Sequence, residues 1–170
     1  MRVLTTNFWV PAVILAQLYL VFFAYLAFSA KYLPGQVATR FGLRGLPKNH
    51  MSRTAYLLFI GIFGVVIPFS GLISWVVSKA EPSGVNIPNR AYWFAPERIV
   101  ETQNYFLAHS LWFACICAVF LFGIHFLIVR ANKQSQPKLS LPLLFLFLGG
   151  FFAAVILWSV APSWHFKTGI

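Results

Sequence analysis

Four long apolar runs, none containing a Lys, Arg, Asp or Glu, occupy most of this chain and commit it to a membrane. They cover residues 8–30, 55–77, 105–129 and 141–160. Each is about 20 residues or longer, the length an α-helix needs to cross roughly 30 Å of hydrocarbon. A soluble helix would keep a polar face, whereas residues 143–157 are apolar all the way round. The period-two polarity of barrel strands is absent. The expected fold is therefore all-α: a single domain, residues 1–170, with four transmembrane helices in one bundle and two structured interfacial loops. The first run is too long for a signal peptide, and Lys31 stands where a cleavage site would be expected, so it is read as a retained helix.

Thirteen Lys and Arg against three acids would suit a nucleic-acid protein if the charges were free of the membrane. They flank helix ends instead. Lys31, Arg40, Arg44, Lys48, Arg53, Arg130, Lys133 and Lys138 share one side, and Arg2, Lys79, Arg90, Arg98 and Lys167 share the other. Attraction to anionic lipid headgroups and topology setting account for this pattern; nucleic-acid binding does not. Eight cations against five place the first side inside and both termini outside.

Few residues carry recognisable chemistry. Cys115 and Cys117 lie two apart on the third helix, point about 200° away from each other and cannot bridge, so they read as small buried residues. The second helix holds Gly61, Gly64, Pro68 and Gly71; Pro68 frees the carbonyl of Gly64 and invites a kink, and the glycines permit close packing. Gly149 and Gly150 receive the same packing reading. The phenylalanines of 120–126 and 145–152 give the helices bulky exteriors, suited to lipid, a neighbouring membrane protein or a pigment.

His109 and His125 are the ionisable residues inside the third run, about 24 Å apart along its axis, too far to share one metal. Sorted by side, His50 falls with His125 and His109 with His165, the two pairings a bis-His haem or a metal would need. An axial role for His109 or His125 is the cofactor-binding alternative; no cofactor or metal is assigned. The bundle has no embedded carboxylate, which argues against a proton relay or ion-coupled transport. Glu81, Glu97 and Glu101 are the only acids. Glu97 and Glu101 follow Pro96 at an expected helix start, where acids favoured by the helix dipole are the cheaper explanation than acid/base catalysis. No nucleophile and base pair, phosphate-binding glycine loop or zinc motif appears, so no catalytic residue is assigned.

The two longer loops carry a resemblance. Leu33-Pro34-Gly35-Gln36-Val37-Ala38-Thr39-Arg40-Phe41-Gly42, followed by Gly45, Pro47 and Met51-Ser52-Arg53, resembles the signature loop of a bacterial membrane family of unknown function, whose relatives include immunity proteins against a self-made toxin. The family pattern runs Leu-Pro, then His-Phe or His-Trp, then a Gly-x-Pro turn before the second helix. Asn86-Ile87-Pro88-Asn89-Arg90-Ala91-Tyr92-Trp93-Phe94-Ala95-Pro96-Glu97-Arg98 is similar to the loop of an uncharacterised branch. The two segments cover about a quarter of the chain. Arg40 stands where the family carries His, and Lys48 where an acid often follows the Pro, so a metal or proton role does not transfer and contact with phosphate or an acidic partner fits better. The resemblance also implies an outside position for the first loop, against the charge count.

Physically these loops read as rigid lids: Pro34, Pro47, Pro88 and Pro96 restrict the backbone and Tyr92, Trp93 and Phe94 suit the headgroup layer. The resulting expectation is a non-enzymatic accessory, stabilising or immunity-like subunit that binds another integral-membrane protein through Arg40, Phe41, Arg90, Tyr92, Trp93, Glu97 and Arg98. A tetrapyrrole or quinone carrier using His109 or His125 is the alternative, and an intramembrane enzyme using Glu97 and Glu101 the third.

Overall fold

The computed structural model describes residues 7–167, which leaves Arg2 outside the described residues. Helix α1 (Trp9–Ala30) leads into a hairpin of β1 (Gln36–Phe41) and β2 (Pro47–Ser52). Helix α2 (Arg53–Phe69), a 3-10 turn (Ser70–Leu72) and α3 (Ile73–Ala80) then form one continuous span. A second 3-10 turn (Pro82–Gly84) and the short α4 (Arg90–Trp93) precede α5 (Ile99–Asn132) and α6 (Leu141–Lys167). Four helices are long and apolar enough to cross a membrane, Trp9–Ala30, Arg53–Ala80, Ile99–Asn132 and Leu141–Lys167, so the expected all-α polytopic fold holds.

The spans outrun the apolar runs that announce them, because a helix need not stop where hydrocarbon stops. Helix α2 starts at Arg53, capped by the Ser52 hydroxyl, which accepts from the Ala55 amide at 3.3 Å. Helix α5 starts at Ile99, six residues before the apolar run and three after the Pro96 start expected from sequence. Its polar first turns are used: Thr102 Oγ1 donates to the Trp93 carbonyl at 2.7 Å and folds the preceding loop back onto the helix. Helix α6 runs on through Pro162 to Lys167.

Helix α5 is the hub. Half of its most apolar window is buried, against none of α6. Helices α1, α2, α3 and α6 all pack on α5, and α6 makes its extensive helix contacts with α5 alone. Lipid tails are as apolar as Leu, so close fit rather than hydrophobicity holds such helices together. Gly123 on α5 supplies that fit: the Phe147 ring of α6 lies 2.6 Å from where a Cβ would stand. Gly64 similarly admits the Phe22 ring of α1.

Pro68 leaves α2 helical as far as Phe69, after which the 3-10 turn interrupts it before α3 resumes. The carbonyl of Gly64, deprived of an amide donor by Pro68, accepts from the Tyr19 hydroxyl at 3.1 Å. The break is thereby satisfied from α1, inside a region without water to do it.

The first loop is a β-hairpin, an element the sequence reading did not resolve within its lid. Val37 and Ala38 of β1 are fully buried, whereas Lys48, Asn49 and His50 of β2 face outward. Gly45 makes the turn at φ +73°, a conformation suited to glycine, and Leu139 donates its amide to the Gly45 carbonyl at 2.9 Å. The hairpin is thus fixed to the segment that joins α5 to α6.

Candidate functional site

At the hairpin end, Asn132 in the last turn of α5 accepts from the Ala38 amide at 2.8 Å and donates to the Ala38 carbonyl at 2.9 Å and to the Ile128 carbonyl at 2.9 Å. Its side chain completes the ladder of β1 as a third strand would. Arg40 is exposed, opposite Asn49 in the hairpin register. Phe41 is half-buried between two apolar clusters, one containing Val37 and Tyr56 and the other Leu127 and Leu139, and so anchors the hairpin.

About two turns deeper, His125 is fully buried, with both ring nitrogens engaged. Tyr56 Oη lies 2.8 Å from Nδ1 and Ser29 Oγ 3.0 Å from Nε2. Ser29 spends its one proton on the Leu26 carbonyl at 3.0 Å, so its oxygen accepts from Nε2–H, and Nδ1 accepts from Tyr56. One uncharged tautomer satisfies every group and ties α1, α2 and α5 together. Both nitrogens of the residue named as an alternative cofactor ligand are thus occupied by hydrogen bonds within the bundle. His50, which falls on the same side in sequence, lies exposed on β2, apart from the buried His125.

The second loop caps the opposite end of α5. Trp93 is buried, 5% exposed, with Tyr105, Phe106 and Phe166, and its Nε1–H donates to the Phe166 carbonyl at 3.2 Å. Trp93, expected among the partner contacts, instead fastens the loop to α6. Arg90, Tyr92 and Glu97 are exposed, and the half-buried Arg98 places its guanidinium 4.0 Å over the Tyr92 ring. Arg90 also donates to the Ser83 carbonyl at 2.9 Å. Glu97 and Glu101 are both exposed. From Thr102 to Asn132 α5 rises about 45 Å. The predicted contacts therefore divide into two ends, Arg40 and Phe41 at one and Arg90, Tyr92, Glu97 and Arg98 at the other.

His109 belongs to a ladder of near-parallel rings, two from α5 between two from α6. His165 and Tyr105 stack at 4.0 Å, Tyr105 and His109 at 5.7 Å, and His109 and Trp158 at 4.3 Å, each pair 10° from parallel. Trp158 Nε1–H donates to the His109 carbonyl at 2.8 Å. The Tyr105 ring thus stacks on both histidines that sequence sorts to this side. His109 also lines an apolar groove of about 390 Å³ with Trp112, Ile116 and Trp158. Cys115 and Cys117 are buried free thiols, and no three His, Cys or acidic side chains converge among the described residues.

The bulky exterior expected from the phenylalanines of 145–152 is the outer face of α6, and the small residues read as internal packing lie on it too. Phe145, Gly149, Phe152, Ala153, Ile156, Val160 and Trp164 recur every three or four residues and are all exposed, on the side away from α5. Gly149 and Gly150, expected to pack within the bundle, have no atom within 4 Å of a would-be Cβ. The i, i+4 spacing of Gly149 and Ala153 was the available signal, since it matches the small-residue spacing at which membrane helices approach closely.

The fold and these surfaces define a polytopic helical membrane protein. Comparison with protein-family models, with curated proteins and with solved structures found no match.

Proposed function

We propose that this chain is a non-enzymatic accessory subunit of a bacterial inner membrane that binds another integral-membrane protein, in the manner of the immunity-like family its loops resemble. One observation carries the reading: among the described residues α6 makes its extensive helix contacts with α5 alone and turns an open small-residue stripe, Gly149 and Ala153 between Phe145, Phe152 and Ile156, away from it. A spanning helix of the partner is the occupant this stripe fits, because glycine and alanine let two backbones approach while the phenylalanines fill the flanks. The exposed Tyr92 and the half-buried Arg98 stand on the loop that Trp93 bonds to the end of α6, and they add a polar contact to the reading. Charge bias supports periplasmic termini and contact of the hairpin end with anionic lipids.

The test is purification from native membranes in mild detergent. The wild-type chain is expected to bring one membrane protein in stoichiometric amount, and Gly149→Leu to lose it while remaining folded, since a Cβ at this exposed position meets nothing within 4 Å. A preparation of this chain alone, monomeric or self-paired, would contradict the reading.

A second reading, a tetrapyrrole or quinone carrier, is supported by the place of His109 on an apolar groove open to the bilayer. It requires the purified chain to hold a chromophore or quinone that is lost in His109→Leu. A ligand-free preparation from native membranes would exclude it.

A further inference from the structure

The hairpin turn, the end of α5 and the start of α6 enclose a polar cleft of about 480 Å³, lined by Arg44, Arg130, Gln134, Lys138 and Ser140, with Leu141 at its apolar edge. We propose that this cleft is a specific binding site for the phosphate of an anionic membrane lipid.

The three cations come from three separate segments and converge on one cavity. All three acids of the chain, Glu81, Glu97 and Glu101, belong to the opposite end, so no carboxylate there balances them. The three cations are exposed, and like charges lining one cleft repel unless an anion joins them. The α6 N-terminus adds its partial positive charge at Leu141.

The cleft is also held in shape. Leu139 donates to the Gly45 carbonyl at 2.9 Å, fixing the turn that carries Arg44 against the segment that carries Lys138. Gln134 Nε2 donates to the Lys138 carbonyl at 3.3 Å and closes the connection between α5 and α6. A site built before its ligand arrives loses less entropy on binding. Arg130 and Leu141 stand at the ends of two spanning helices, which sets the cleft at headgroup depth, and the flanking Leu141 and Pro142 begin the apolar surface where acyl chains start.

Lipid and soluble phosphate share this chemistry, and the test separates them. The full chain in detergent is titrated with phosphatidylglycerol, with phosphatidylcholine and with inorganic phosphate, and bound species are counted by native mass spectrometry. One phosphatidylglycerol is expected to remain bound in preference to phosphatidylcholine, with inorganic phosphate at millimolar concentration failing to displace it. Arg44→Gln and Lys138→Gln are each expected to weaken retention about fivefold and together about 25-fold. Lys31→Gln and Lys48→Gln, at the same end but outside the cleft, are expected to leave it within about twofold. Arg44→Lys, which keeps the charge, retains most binding and shows that the turn still folds. Equal loss in all the Gln variants would mean diffuse surface attraction and overturn the site. Displacement by inorganic phosphate would overturn the lipid assignment.

Discussion

Asn132 binds Ala38 through both backbone groups of that residue, standing in for a neighbouring strand at the end of the central helix. Replacement by Ala leaves a buried amide and a buried carbonyl without partners in a fully buried residue. Asn132→Ala is expected to destabilise the protein by about 2 to 4 kcal/mol, or to free the hairpin locally. Unfolding in detergent measures the first and hydrogen exchange at the Ala38 amide the second; unchanged protection there would contradict the docking role.

Tyr56, His125 and Ser29 are coupled through one imidazole. Tyr56→Phe removes the donor to Nδ1 and is expected to lower stability by about 1 kcal/mol, the range of interhelical hydrogen bonds in membranes. The double variant Tyr56→Phe with His125→Leu is expected to lose less than the sum of the singles, because each single change already breaks the same bond. Strict additivity in detergent unfolding would show that the two side chains do not act together.

Tyr92 and Trp93 are adjacent in sequence and opposite in role. Trp93→Ala opens the packed cap over Tyr105 and Phe166 and is expected to cost about 3 to 5 kcal/mol. Tyr92→Ala is expected to change stability by about 0.5 kcal/mol or less while weakening partner retention. If Tyr92→Ala co-purifies with the partner as wild type does, Tyr92 is not a contact.

Two glycines provide a matched comparison of the inner and outer faces. Gly123→Ala forces the Phe147 ring off α5 and is expected to loosen α6, seen as faster proteolysis of the connection between the two helices. Gly149→Ala meets open space and is expected to leave the isolated chain unchanged.

The four spans were legible because twenty uncharged residues in a row admit few alternatives. The hairpin was not: six-residue strands give a weak period-two signal, and Pro47 and Lys48 read as loop because they suit an exposed edge. Trp93 misled because an aromatic cluster beside a membrane looks the same whether it faces headgroups or closes a cap, and only the Phe166 carbonyl, 73 residues away, decides between them. His125 invited a ligand reading since its partners, Ser29 and Tyr56, lie on other helices and leave no local trace. Gly149 read as packing because sequence cannot show that α6 has a neighbour on one side only.

The proposed function places a partner helix on the outer face of α6. Its most direct measurement is site-specific photo-crosslinking in native membranes, with the crosslinker at Ala153 on the stripe and, as the lipid-facing control, at Leu58 on the exposed side of α2. The expected result is one discrete adduct with a second membrane protein from Ala153 and none from Leu58. Lipid adducts alone from both positions, or adducts only with a second copy of this chain, would contradict the central claim.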